Sequence, residues 1–146
     1  MGSLDLCKMT ILCVENNQAI SKDLHEILYY KYFQHNVLMS DDYSSALNHI
    51  KINSPDIFLI SLDLPIEDRL IILSVICNMK LSNRCIATSN CLGDNIMDNY
   101  VESGIKHFVT KPIEPENLFI KIDNLMQSRF FCKLNTIKIA NMASYH

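Results

Sequence analysis

A small set of polar side chains stands at the ends of short apolar runs: Glu15 and Asn16, Ser61 with Asp63 two places on, Thr88 and Ser89, and Lys111. An acid, hydroxyls and a lysine gathered at one rim are the constellation expected around a phosphoryl group, whose anionic oxygens need a cation and hydrogen-bond donors. The runs that carry them are Thr10–Val14, Val37–Met39, Asp56–Ile60, Cys85–Ala87 and Ile105–Val109. Each is rich in β-branched residues, lacks polar alternation and is too short for a helix, which predicts strands covered on both faces.

Segments of helical period lie between the runs. Ile20, Leu24, Ile27 and Leu28 mark one, Tyr43, Ala46, Leu47 and Ile50 a second, Met97, Tyr100 and Val101 a weaker one, and Leu118, Ile122, Leu125 and Met126 the last. Asn16 or Asn17 and Asp42 suit helix N-caps, and Pro115 suits a first helical turn. Strand and helix alternate five times. Right-handed crossovers then predict an α/β fold, a doubly wound five-stranded parallel sheet with helices on both faces. In such a sheet the functional crevice lies beyond the carboxyl ends of the strands, where the polar residues above stand.

The chain has 146 residues and 49% hydrophobic composition, enough for one core. One domain is expected over residues 8–131, with 132–146 as a tail or the start of a linker to a further domain. Thirteen basic against sixteen acidic residues give a net charge of −3, so direct nucleic-acid binding is not expected. The six cysteines include no C-x-x-C pair and are expected as reduced, mostly buried thiols of a cytoplasmic protein. The scattered histidines supply no paired metal ligands. The longest apolar stretch, Leu70 to Cys77, is far too short for a membrane span. Met1-Gly2-Ser3 reads as a cloning remnant.

Three segments in order give the sequence a specific likeness. "TILCVENN", "PDIFLISLDLP" and "SGIKHFVTKPI" stand where receiver domains of bacterial two-component response regulators have, respectively, a strand ending in two acids, a strand ending in the phosphorylated aspartate before a loop proline, and a Gly-to-Lys-Pro segment. Over about Lys8 to Phe131 the chain resembles that family. The resemblance implies the flavodoxin-like, CheY-like strand order 2-1-3-4-5, with Lys111 as the lysine that pairs with the phosphoryl group and Phe108 as the switch aromatic. It implies Ser89, by its 22-residue spacing to Lys111, as the hydroxyl residue, with Thr88 as the other candidate.

Departures from the pattern alter the expected chemistry. Ser61 stands at the place of the phosphoacceptor aspartate, and the acidic pair has become Glu15 and Asn16. A serine hydroxyl needs a positioned base to become a nucleophile. A divalent cation that loses carboxylates loses its anchors, so Mg²⁺ binding is expected to be weak or absent and no cofactor is expected. Asp63 falls in the loop after the strand, where its side chain is expected to point away from the crevice. Lys111 is expected to pair with Glu15 or to hydrogen-bond Ser61, leaving a degenerate phosphoacceptor pocket satisfied without a cation.

The stretch Asp68 to Lys80 is apolar around most of its circumference. It is expected to present Ile71, Val75 and Leu81 to a partner or a second copy; the alternative is cover by the 132–146 tail. Tyr100, Lys106, His107 and Lys121 fall on the face that the resemblance marks for output, with His107 expected to be exposed. The leading expectation is a non-enzymatic, non-phosphorylated receiver-like module acting by protein–protein contact, with a protein partner or homodimer and no membrane. The alternatives are an unorthodox phosphoacceptor using Ser61 or Asp63, and a flavodoxin-like binder of a small ligand; the lack of a glycine-rich loop after the first strand weighs against nucleotide or flavin.

Overall fold

In the computed structural model, which describes residues 8–144, five short strands form one parallel sheet: β1 (Thr10–Val14), β2 (Asn36–Ser40), β3 (Ile57–Ser61), β4 (Cys85–Ser89) and β5 (His107–Thr110), in the order β2-β1-β3-β4-β5. Helices α1 (Gln18–Lys31), α2 (Tyr43–Asn53), α3 (Ile66–Asn78), α4 (Asp94–Val101) and α5 (Pro115–Ala143) connect or follow them. Cys7, Met1-Gly2-Ser3 and the final Tyr145-His146 lie outside the described residues.

The uniform apolarity of the strands is explained by cover on both sides. Leu12, Val14, Phe58, Ile60, Cys85 and Ala87 face one cluster with Ala46 and Ile50 of α2 and Ile72 and Ile76 of α3. Ile11, Cys13, Ile57, Leu59, Ile86 and Val109 face another with Leu24 and Leu28 of α1 and Leu118 and Ile122 of α5. Burying Cys85 in the first of these pushes its thiol up to about 12. The expected burial of most cysteines is corrected: Cys13 and Cys85 are buried, but Cys77, Cys91 and Cys132 are exposed, because they lie on outer helix faces or in a loop.

Local signals set the helix starts. The Asn17 side chain accepts from the Ile20 amide at 3.1 Å, so Asn17 rather than Asn16 caps α1. Asp42 accepts from the Ser45 amide at 2.8 Å at the start of α2. Pro115 opens α5, where its missing N–H costs nothing.

The expected tail after residue 131 is not a separate segment. The chain from Cys132 onward continues α5 without a break to Ala143. Its first turn is held by an acid at the sheet's amino-terminal edge: Asp56, buried, accepts from Lys133 Nζ at 2.9 Å, Arg129 Nε at 3.0 Å and the Thr10 amide at 2.9 Å. Burial pushes the Asp56 carboxyl up, but these donors outweigh it and hold the group below its usual range. The tail therefore does not cover α3, which lies on the opposite face of the sheet from α5.

On α3, Ile71 and Val75 are half-buried, and Leu81 packs against the core instead of facing outward. The more exposed apolar side chains are Ile66, Leu70 and Met79. No described helix is long and apolar enough to cross a membrane.

Candidate functional site

Four chain segments meet at the carboxyl end of the sheet. β1 lies inside the sheet, between β2 and β3, and ends at Val14, so the next residue, Glu15, leaves the sheet inside the protein and is 1% exposed. Its amide donates to the Ser40 carbonyl at 2.9 Å, which holds the turn, while Asn16 faces solvent. Ser61 ends β3, also 1% exposed. Ser89 ends β4, and its register partner in β5 is Thr110, which places Lys111 beside the crevice. The Lys111 amide donates to the Ser89 carbonyl at 2.9 Å.

Lys111 is the centre of the arrangement. Its ammonium lies 2.7 Å from Glu15 Oε1, 3.0 Å from Asp63 Oδ2 and 2.8 Å from Ser61 Oγ, to which it donates. The Glu15 contact is a close ion pair whose alignment falls short of a hydrogen bond. Glu15 Oε2 accepts from the Asn17 amide at 3.1 Å. Lys111 thus pairs with Glu15 and hydrogen-bonds Ser61, and it reaches a third group as well.

That third group corrects the expectation for Asp63. Its side chain points into the crevice, because the loop after β3 turns back at once: the Asp63 amide donates to Ser61 Oγ at 3.1 Å and the Leu62 amide to the Thr88 carbonyl at 2.7 Å. Asp63 Oδ1 accepts from Ser89 Oγ at 3.0 Å and Oδ2 from the Asn90 amide at 2.9 Å. Partial burial pushes the Asp63 carboxyl up, but the Asn90 amide, Lys111 and the Ser89 hydroxyl hold it below its usual range. Only distance in space reveals this; two residues of sequence separation gave no sign of the loop's direction.

Of the two candidate hydroxyls, Ser89 bonds Asp63 while Thr88 is buried in the strand. Phe108 and Tyr100 are half-buried against the cluster under α2 and α3. His107 is half-buried, not exposed: burial and the neighbouring Lys121 and Lys106 hold its imidazole below the usual range. Asn90 is a crevice residue that the sequence did not single out, because it contributes a backbone amide that any residue type could supply.

The family model described as the response regulator receiver domain matches residues 11–123. The chain belongs to the response regulator receiver family. Among solved structures it is similar to the signal receiver domain of an HD domain-containing protein from Pseudomonas fluorescens, at 18% identity over 84% of this chain and 97% of that one, with a TM-score of 0.74. It is similar to the signal receiver domain of a putative LuxO repressor protein from Vibrio parahaemolyticus, at 16% identity over 87% and 96%, TM-score 0.77. A CheY-like receiver from Methanospirillum hungatei matches at 18% identity over 84% and 96%, TM-score 0.73. At these identities the structures speak for the fold, a five-stranded parallel sheet in the order 2-1-3-4-5. Receiver membership places the chain among the modules of two-component signalling.

Proposed function

We propose that this receiver works by protein–protein contact without accepting a phosphoryl group. The observation that carries the reading is the saturation of Lys111 by Glu15, Asp63 and Ser61, all from the same chain. A serine oxygen has two acceptor lone pairs, and those of Ser61 meet Lys111 Nζ and the Asp63 amide. Neither donor is a base, so nothing in these contacts draws the proton from the hydroxyl to make a nucleophile.

The same contacts bear on the divalent cation that receivers use. Mg²⁺ demands an octahedron of oxygens anchored by carboxylates. Here Glu15 is committed to Lys111 and the Asn17 amide, Asp63 to Lys111, Ser89 and Asn90, and the second acidic position is the neutral, exposed Asn16. This donor set does not fit a cation, and no step is routed through one. With the crevice closed on itself, recognition falls to the helix faces, including Ile71 and Val75 on α3 and Tyr100 on α4.

Incubating the full chain with Mg²⁺ and a small acyl phosphate, followed by intact mass measurement, tests the reading. No phosphoryl mass gain is expected. A gain that disappears in Ser61→Ala or in Asp63→Ala would overturn it and identify the acceptor.

A further inference from the structure

Three donors from two separate segments converge on Asp63: the Lys111 ammonium after β5, the Ser89 hydroxyl at the end of β4 and the Asn90 amide after it. The Ser89 oxygen also accepts from the Cys91 amide at 3.1 Å, and its hydroxyl has two acceptors in reach, Asp63 Oδ1 at 3.0 Å and, farther off, the Cys91 carbonyl at 3.3 Å. A cation, a hydroxyl and a backbone N–H disposed around a pair of anionic oxygens are what an oxyanion such as phosphate requires. We propose that the Asp63 carboxylate is an anion built into the crevice, filling from within the chain a site competent for a phosphate-like oxyanion and fixing Ser89 and the β4–α4 loop in their occupied arrangement.

Two features support this. Glu15 lies against the same ammonium, yet the donors still hold Asp63 as a second carboxylate, so the site tolerates a negative charge beside Glu15. The place also reaches solvent: the Asp63 side chain is 29% exposed, and beside it Lys111 and Asn90 line an open cavity of about 300 Å³ together with Ile20, Asp23, Pro112 and Ile113. Shortening residue 63 would therefore open the donors to an ion from solution and would leave Glu15 and Lys111 as a balanced pair.

The inference rests on the reading of a crevice that takes no phosphoryl group, but its test is separate. The thermal midpoint of the full chain is measured in inorganic phosphate and in chloride at matched ionic strength, for the parent, Asp63→Ala and Asp63→Ser. The parent is expected to show no difference between the salts. Both variants should gain a phosphate-dependent rise of about 4 °C at tenfold excess over the dissociation constant. Adding Ser89→Ala to Asp63→Ala should weaken the apparent phosphate affinity about tenfold. Folded variants that ignore phosphate, or a parent that responds as strongly as they do, would overturn the inference. Either result leaves standing the reading that no phosphoryl group is accepted, because that reading fails only on a mass gain by the parent.

Discussion

Replacing Lys111 by Met tests whether the crevice is held together by its ammonium. Methionine keeps most of the length and apolar stem, so the change removes charge more than volume. Glu15, 1% exposed, then keeps only the Asn17 amide at 3.1 Å as a donor. Breaking a buried pair by removing one partner costs about 3–5 kcal/mol, since the remaining charge is left without compensation. Asp63 adds little to this, because its side chain reaches water and retains Ser89 and Asn90. Removing both charges with Lys111→Met and Glu15→Gln should recover more than half of the loss, as replacing both partners of a buried pair is far cheaper than replacing one. Urea unfolding of the parent, both single variants and the double variant gives the coupling directly, provided the slopes agree. A loss under about 1 kcal/mol for Lys111→Met, or additive effects in the double variant, would refute the argument that the ion pair holds the site.

Three further outcomes are expected. The double replacement Asn16→Asp with Ser61→Asp should bring Mg²⁺ affinity to about the millimolar range, measured by calorimetric titration against a parent that binds much more weakly. Asp56→Asn should cost about 1–3 kcal/mol at neutral pH. Because the folded-state carboxyl of Asp56 is held below its unfolded value, its contribution is present above that value and is lost as pH falls through the folded one; the difference between parent and variant in urea midpoint should therefore shrink as the solution is acidified below the ordinary carboxylate range. Ending the chain after Phe131 removes Lys133 from Asp56 and should cost about 1 kcal/mol, whereas ending it after Thr136 should cost close to nothing, as read by thermal unfolding.

The parallel sheet was legible because each strand is a short apolar run and three helices carry a start signal, Asn17, Asp42 and Pro115, whereas the strand order followed from the resemblance to the receiver family. Glu15, Ser61, Ser89 and Lys111 were legible because strand ends fix where such residues must stand. Asp63 was not, since the direction of a loop side chain depends on the amides that turn the loop, here those of Leu62 and Asp63 itself. The continuation of α5 was hidden for a related reason. Residues 132–143 bury almost nothing, so they show no apolar stripe, and the contact that anchors them runs from Lys133 to Asp56, 77 positions away. On α3 the apolar surround is only partly outward: Leu81 beyond its end packs against the core, Ile71 and Val75 are half-buried, and Ile66, Leu70 and Met79 are the more exposed.

An unbroken hydrogen-bonded rod of 29 residues is about 43 Å from end to end. Clamped at its root by Leu118 and Ile122 and at mid-length by Arg129 and Lys133, α5 behaves as a lever whose fulcrum is the underside of the sheet. A tilt of a few degrees at the fulcrum sweeps the distal tip by ångströms, so small repacking beneath the strands is magnified into displacement at the far end.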